Sequence, residues 1–372
     1  MGTIADNIKE IEAEILKTQK NKATEFHIGK LKAKIAALKA QAEKQASQGG
    51  GAGLSFAVKK SGNATVGLVG LPSVGKSTIL NALTGQETSA MAAYEFTTLT
   101  VIPGMLHHRG ADIQILDMPG IIAGAHLNKG RGREVIAAAR NSDMILVTLD
   151  CTKARDHLPI IIRELEQSAI RINRRPKDIA VHFTQRGGIK VFCTKKQTHM
   201  SDEQIAELVA QFKVNNADVV VREDITPEDL VDRLAGNRVY ISAVCLVNKV
   251  DLAGEEAYRD IERWLAEQDF PAIPLAASKN WGIEKAKDFI FENLHFIKVF
   301  LKPRGKEADM KEPLIVKSGT DIGMVCDLLH REFRRKFRYA FVWGKSAKFP
   351  GQTVGIDHKM LDGDILTIIT RQ

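Results

Sequence analysis

Apolar residues near the start of the chain recur at the spacing of an amphipathic helix. The first four isoleucines lie three or four residues apart, at Ile4, Ile8, Ile11 and Ile15. A second helical run follows the candidate cap Thr24, at Leu31, Ile35 and Leu38. The pattern predicts a helical hairpin over residues 3–47, within an N-terminal segment 1–50 that glycines separate from the rest of the chain.

From residue 62 to residue 296, apolar runs of strand length alternate with stretches of helix length. Strands are predicted at residues 65–69, 113–116, 144–150, 239–247 and 272–275. Helices are predicted at residues 132–140, 159–168, 255–267 and 283–293. This alternation is typical of an α/β fold, in which helices cover both faces of a parallel sheet.

Two further parts follow from breaks in that alternation. Residues 170–238 predict an inserted α+β subdomain, with strands 179–183 and 190–194 joined across Arg186-Gly187-Gly188, a helix 202–212, a strand 219–222 and a helix opened by Thr226. Residues 297–372 predict a small module with one helix, 321–333, and strands 314–317, 339–342 and 365–369. The α/β middle of the chain is thus flanked and interrupted by smaller units.

A phosphate-binding signature, GxxxxGK[ST], lies between a predicted strand and a predicted helix. The residues of this signature that are candidates for contacting a nucleotide are Gly70, Leu71, Pro72, Ser73, Val74, Gly75, Lys76, Ser77 and Thr78. Backbone N–H groups of such a loop surround phosphates, the lysine reaches the β- and γ-phosphates, and the serine hydroxyl binds Mg²⁺. We therefore predict a catalytic role for Lys76 and a metal-binding role for Ser77.

A second motif ends the next predicted strand, at Asp117, Met118, Pro119, Gly120 and Ile121. An aspartate at this strand end is placed to hold Mg²⁺ through water, and the Gly120 amide can contact the γ-phosphate. A DxxG sequence alone is common and also fits an ordinary turn. Its position beside the phosphate loop favours the nucleotide reading.

A third motif, Asn248, Lys249, Val250 and Asp251, follows the strand 239–247. Its aspartate can accept hydrogen bonds from the guanine N1–H and 2-amino groups, which adenine does not offer in that arrangement. Three motifs in this order, each at a strand end, predict GTP and GDP as ligands with Mg²⁺ as cofactor.

Positive charge is concentrated at the two ends of the chain. The formal net charge is +8, of which residues 1–50 carry +3 and residues 297–372 carry +6, while the middle is at −1. This distribution predicts contact with a polyanion, most plausibly RNA, although a solvated face would also explain it. Candidate RNA contacts are Arg331, Arg334, Arg335, Lys336 and Arg338.

Several classes of protein are disfavoured. The longest apolar stretches are far shorter than the ~18 residues of a membrane span, and the N-terminus carries acids where a signal peptide carries basic residues. Four widely spaced cysteines indicate neither a zinc site nor a disulfide framework. We expect a cytoplasmic protein with no membrane partner, and nothing specifically indicates DNA.

The chain resembles the Obg-type GTPases, and within them the developmentally regulated GTP-binding protein family, archaeal or eukaryotic in type. The motifs that carry the resemblance are the three above with Tyr94–Leu99, Lys129–Arg133, Gly236–Tyr240 and Tyr339–Gly344. It implies a G domain, residues 62–296, with an insertion at 170–238, and a C-terminal β-grasp module of the TGS type at 297–372. It also implies that Thr98 is a catalytic switch threonine that binds Mg²⁺, and that Ala277 and Ser278 contact guanine through their backbone. Ala276 departs from the serine usual in the family.

Ile121 occupies the place where Ras-like proteins carry the glutamine that orients the attacking water. We therefore expect slow intrinsic hydrolysis. Related GTPases use a monovalent cation near a phosphate-loop asparagine, where this chain has Ser73, so stimulation by K⁺ stays open.

The functional hypothesis is a slow, Mg²⁺-dependent GTPase that acts as a switch on RNA. The resemblance implies that the partners are the ribosome, through rRNA or tRNA, and a regulatory protein of this family. The alternative is a nucleotide-gated RNA-binding scaffold with negligible hydrolysis. A small-molecule kinase with the same phosphate loop is disfavoured, because the third motif is dedicated to guanine.

Overall fold

The computed structural model describes residues 4–19, 22–48, 61–85, 102–118 and 131–371. The chain divides into two compact units: one combines the segment up to residue 55 with residues 169–240, and the other combines residues 56–168 with 241–372. Within the described ranges, no helix is both long and apolar enough to span a bilayer.

The first unit joins the N-terminal helices to the insertion. Its elements are α1 (Ile4–Lys17), α2 (Lys22–Gln48), β5 (Ile170–Ile172), β6 (Ile179–Phe183), β7 (Ile189–Cys193), α6 (Asp202–Ala210), β8 (Ala217–Val221) and α7 (Pro227–Ala235). Ala33 and Ala36 of α2 belong to the same hydrophobic core as the buried residues of β8, α6 and α7. The predicted helical hairpin is therefore present and is covered by the insertion.

The predicted pairing of residues 179–183 with residues 190–194 is wrong. The sheet order is β6-β8-β7, with β8 antiparallel to β6 and parallel to β7. β8 takes the centre because its inward residues, Ala217, Val219 and Val221, are fully buried. Asn216 fixes the crossing loop, since its Oδ1 accepts a hydrogen bond from the Gly188 N–H at 2.9 Å.

A buried ion cluster ties β5 to α7 in this unit. Arg171 donates two hydrogen bonds to Asp232, Nε to Oδ2 and Nη2 to Oδ1, each 2.7 Å long. Arg238 Nε donates to the same Oδ1 at 2.8 Å. The side chains of Arg171 and Asp232 are only 10% and 6% exposed, so one carboxylate pairs with two guanidinium groups largely away from water.

The second unit contains the sheet that carries the three motifs. Its elements before residue 295 are β1 (Ala64–Val69), α3 (Lys76–Thr84), β2 (Ile102–His108), β3 (Ala111–Asp117), α4 (Arg131–Asn141), β4 (Met144–Asp150), α5 (Ala154–Gln167), β9 (Val239–Asn248, whose first two residues lie in the other unit), α8 (Val250–Ala253), α9 (Glu255–Glu267), β10 (Ala272–Pro274) and α10 (Ile283–Asn293). The strand order is β10-β9-β4-β1-β3-β2. Val66 and Leu68 pack with α3 and α10 on one face.

Along this path the strands are parallel except at the edge, where β2 runs antiparallel to β3; β5 also pairs with β9. Arg109 and Gly110, which connect the two strands, have φ angles of 50° and 82°. Two consecutive residues with positive φ form the kind of tight turn that reverses the chain. The predicted parallel sheet thus has one additional, antiparallel edge strand that the sequence pattern did not indicate.

The C-terminal part of the second unit is a five-stranded sheet with the order β12-β11-β15-β13-β14. Its elements are β11 (Phe296–Leu301), β12 (Leu314–Lys317), α11 (Ile322–Leu329), α12 (Arg331–Lys336), β13 (Phe337–Trp343), β14 (Gln352–Val354) and β15 (Asp364–Thr370). The single helix predicted over residues 321–333 is two helices, because His330 has an extended backbone and its Nδ1 caps α12 by accepting from the Glu332 N–H.

β12 attaches this sheet to the amino-terminal end of β1, at the end of the strand opposite the phosphate loop. Asn63, just before β1, donates from Nδ2 to the Ile315 carbonyl at 2.8 Å. Lys317 forms an ion pair with Asp143, whose other carboxylate oxygen accepts the Thr65 N–H of β1. Ile315 itself belongs to the core beneath β1.

Candidate nucleotide-binding site

The loop between β1 and α3, residues 70–75, has the sharp backbone that a phosphate-binding loop requires. Ser73 and Gly75 have φ angles of 64° and 95°, and Gly75 is the residue that precedes α3. A Cβ atom on Gly75 would lie 2.4 Å from Asn248 Nδ2. Glycine is therefore needed both for the backbone conformation and for the close approach of Asn248.

Lys76 lies across the mouth of this loop. Its Nζ donates to the carbonyl oxygens of Gly70 and Leu71 at 2.9 and 3.0 Å. Burial lowers the pKa of Lys76, while the neighbouring carboxylate of Asp117 opposes that shift. Among the described residues, the hydrogen-bond acceptors of this ammonium are these two carbonyl groups, which an anion can replace.

Ser77 and Asp117 come together at the ends of α3 and β3. Ser77 Oγ donates to Asp117 Oδ2 at 3.2 Å, while Asp117 Oδ1 is buried and has no hydrogen-bond partner among the described residues. Burial raises the pKa of Asp117, and Lys76 and Ser77 lower it in part. A buried, unsatisfied carboxylate oxygen beside a hydroxyl is a donor set that fits Mg²⁺, which prefers oxygen ligands.

Asn248, at the end of β9, fastens two loops together. Its Nδ2 donates to the Val74 carbonyl at 2.8 Å, and its Oδ1 accepts the Ala277 N–H at 3.1 Å. Asn248 is 4% exposed, so both bonds are made in the interior of the protein. The predicted phosphate loop and the predicted base loop, which contains Ala277 and Ser278, are therefore held at a fixed separation.

Lys249 connects the same phosphate loop to β4. Its Nζ donates to the Ser73 carbonyl and to Asp150 Oδ2, each at 2.8 Å. Burial works against ionisation of Asp150, but hydrogen bonds from Lys249 and Thr152 outweigh it and lower the pKa of Asp150. Asp150 was not predicted as a site residue, although it ends an apolar strand as Asp117 does and pairs in register with Asn248.

Asp251, the predicted guanine reader, lies in the short helix α8 that begins at Val250. Lys279 Nζ is 3.0 Å from Asp251 Oδ2, and the Lys279 side chain is 64% exposed. The Asp251 side chain is 17% exposed, so the pair is open to solvent on its lysine side, from which a base can displace the lysine. Lys279 is a second residue at this site that the sequence motifs did not indicate.

Comparison with known proteins identifies the family. Residues 65–185 match the family described as a 50S ribosome-binding GTPase, residues 186–296 match the C-terminal region of that domain, and residues 297–370 match the TGS domain. An uncharacterized GTP-binding protein of Methanocaldococcus jannaschii is 50% identical over 369 residues, covering 99% of this chain and 93% of the relative. Developmentally-regulated GTP-binding protein 1 of Xenopus laevis is 41% identical over 373 residues, covering 100% of both chains. The chain belongs to the developmentally regulated GTP-binding protein family.

The family resemblance and the fold class drawn from the motifs are thereby confirmed: this family member is a P-loop GTPase fold followed by a TGS domain. A further relative, from Saccharomyces cerevisiae, is named ribosome-interacting GTPase 1; it is 39% identical over 376 residues and 100% of each chain is covered. The roles of individual residues in this family member remain predictions.

Part of the predicted site lies outside the described residues. Thr98, Pro119, Gly120 and Ile121 fall there, whereas Met118 is described and is buried at 1% exposure. The described residues therefore include Lys76, Ser77, the candidate metal-binding carboxylate of Asp117 and the predicted base loop. The switch threonine stays a prediction.

The predicted RNA contacts are only partly available for a ligand. Arg334 donates to Asp327, and this hydrogen bond raises the pKa of Arg334 further. Lys336 Nζ is 4.0 Å from a Glu332 carboxylate oxygen, and the Arg338 guanidinium lies 5.7 Å from the Tyr339 ring centroid. Arg335 is exposed in α12, and the side chain of Arg331 is outside the described residues. Acids of the same module compensate part of this cluster.

Proposed function

We propose that this family member binds GTP and GDP with Mg²⁺, hydrolyses GTP slowly, and acts in the cytoplasm as a nucleotide-dependent switch on ribosomal RNA. The observation that carries the proposal is the joint placement of Lys76, the Ser77–Asp117 pair and Asn248 around one loop. Family membership supports the guanine nucleotide, and the yeast relative's name together with the basic C-terminal domain supports the ribosome.

In this proposal Ser77 and Asp117, with Thr98, would hold Mg²⁺, which neutralises charge on the phosphates. Lys76 would exchange its two carbonyl partners for phosphate oxygens, and Asn248 would keep the phosphate loop at its distance from the base loop. Ile121 offers no hydrogen-bonding group to the attacking water, so basal turnover is expected to be low and raised by K⁺ or by the ribosome.

Asp251→Asn should convert the nucleotide preference from GTP to xanthosine triphosphate. The new amide N–H can donate to the 2-oxo group of xanthine. Opposite the guanine 2-amino group the same N–H is a donor facing a donor, so no hydrogen bond forms there. Competition binding with GTP, ATP and xanthosine triphosphate measures the change, with losses for GTP of about 100-fold or more. Lys279→Ala is the matched control and should shift GTP affinity only a few-fold, since the lysine side chain of this pair is largely exposed. Equal binding of ATP and GTP by the unaltered protein would disprove the base-reading role.

Co-sedimentation with purified ribosomes tests the switch itself. We expect clearly more protein in the ribosomal pellet with a non-hydrolysable GTP analogue than with GDP, because the two nucleotides differ at the γ-phosphate that the switch motifs contact. Identical pelleting in both states would contradict a nucleotide-controlled switch, and parallel turnover assays with and without ribosomes would distinguish it from a scaffold.

A further inference from the structure

The strand β13 presents two chemically different faces. Ala340 and Val342 are fully buried in the core that α11 covers. Tyr339, Phe341 and Trp343 alternate with them and therefore point to the opposite face of the sheet, where each is half-buried. We call these three residues the aromatic ladder.

The rings of the aromatic ladder are close neighbours. The ring centroids of Tyr339 and Phe341 are 5.3 Å apart, and those of Phe341 and Trp343 are 6.2 Å apart. Across the sheet, Phe341 and Trp343 pair in register with Thr367 and Ile365 of β15. This outer face is therefore a continuous apolar strip, on the side of the sheet away from α11.

A groove of about 560 Å³ runs between the ladder and the loop after β11. Phe341 and Trp343 form one wall, and residues 302–307 form the other. The loop is fixed to the sheet, since Thr367 Oγ1 donates to the Lys302 carbonyl at 2.6 Å and the Lys302 N–H donates to Leu366 O at 2.9 Å. These hydrogen bonds hold both walls of the groove in place within the domain.

The loop wall of the groove is basic. Lys302 Nζ is 4.7 Å from the Trp343 ring centroid, and Arg304 and Lys306 are exposed. Among the described residues, no carboxylate lies within ion-pairing distance of these three cations, although Glu307 also lines the groove. This distinguishes them from Arg334, whose charge is compensated by Asp327.

Half-buried rings beside cations without a paired carboxylate match one ligand chemistry. Unpaired nucleotides offer flat bases that stack on aromatic side chains and phosphates that pair with Lys and Arg. A double helix hides its base faces and could use only the cations. An apolar peptide would use the rings but leave three cations without partners.

We propose that the groove beside the aromatic ladder binds unpaired RNA nucleotides, with bases stacked on Phe341 and Trp343 and phosphates held by Lys302, Arg304 and Lys306. The proposal rests on the proposed function, in that it gives the RNA partner a site on the TGS domain. It places that site on the outer face of the sheet, distinct from the cluster in α12.

The test is binding of a fluorescein-labelled single-stranded octanucleotide of uridine to the full-length protein, followed by fluorescence anisotropy at one fixed salt concentration. Phe341→Leu and Trp343→Leu should each weaken binding about 5- to 100-fold, since stacking contributes ~1–3 kcal/mol per base. Phe341→Tyr keeps a ring and should bind within about 3-fold of the unaltered protein. Phe333→Leu removes a ring from α12, outside the groove, where Phe333 is 38% exposed, and should also leave affinity unchanged.

GTP binding by each variant verifies that the chain is folded, because the nucleotide site does not include the ladder. The proposal is overturned if Phe341→Leu and Trp343→Leu both bind the octanucleotide as the unaltered protein does, or if a duplex of equal length binds as tightly as the single strand. Ladder-dependent binding of the octanucleotide together with no co-sedimentation with ribosomes would refute the proposed function alone. If both leucine variants still co-sediment with ribosomes in a nucleotide-dependent way and bind the octanucleotide as the unaltered protein does, the proposed RNA site at the ladder is refuted and the proposed function is not.

Discussion

Lys76→Ala should lower GTP turnover by about 100- to 1,000-fold. Lys76 is the cation at the mouth of the phosphate loop, and its present partners are two carbonyl groups that phosphate oxygens can replace. A preorganised cation that stabilises the charge of phosphoryl transfer contributes several kcal/mol to the rate. Phosphate release measured at saturating GTP, with and without ribosomes, gives the change in turnover.

Lys249→Ala is the matched control for this prediction. It removes another lysine that contacts the phosphate loop, through the Ser73 carbonyl, but one directed to Asp150 rather than to the mouth of the loop. We expect it to weaken nucleotide affinity while leaving turnover at saturation within about 10-fold. Equal loss of turnover in both variants would mean that loop conformation, and not the charge of Lys76, limits the reaction.

Asp232→Ala should destabilise the unit formed by the N-terminal helices and the insertion by about 3–5 kcal/mol. The substitution leaves the guanidinium groups of Arg171 and Arg238 buried without their shared carboxylate, and removing one partner of a buried ion pair has this cost. Amide hydrogen exchange followed by mass spectrometry measures it segment by segment, without assuming that the whole chain unfolds in one step.

Asp178→Ala supplies the comparison, because Asp178 pairs with Arg222 in the same unit with both side chains about half exposed. That change should shift protection by less than about 1 kcal/mol. The two variants are compared by the loss of protection from hydrogen exchange in β5 and α7. An equal loss in Asp232→Ala and Asp178→Ala would show that the buried cluster does not stabilise this unit.

Hydrophobic periodicity and capping residues in the sequence predicted those helices whose bounds depend on neighbouring residues in the chain. Helix α9 begins and ends at the residues predicted from its periodicity, and Thr226 caps α7 through a reciprocal pair of hydrogen bonds with Asp229. Pairing between strands was less accessible to sequence reasoning. β6 and β7 look like a hairpin across two glycines, but a distant strand, β8, is more deeply buried and takes the central position.

In the candidate site too, residues within motifs were predicted and residues that act through distant contacts were not. Spacing within a motif identified Lys76, Ser77, Asp117 and Asn248, whose neighbours in space are other motif residues. Asp150 and Lys279 were missed because each acts through a single long-range contact, one with Lys249 and the other with Asp251. The aromatic ladder was missed for a related reason: period-two alternation shows that Tyr339, Phe341 and Trp343 share a face, but not whether that face is covered.

The carboxylate of Asp143 belongs to two structural parts at once, because it accepts the Thr65 N–H of β1 and pairs with Lys317 of β12. β1 leads directly into the phosphate loop, and β12 is hydrogen-bonded into the sheet that carries the ladder. Any energetic connection through this junction is symmetric by thermodynamic linkage. If GTP in place of GDP strengthens RNA binding by some factor, RNA must favour GTP over GDP by that same factor, so the RNA would itself act as a nucleotide-selecting effector.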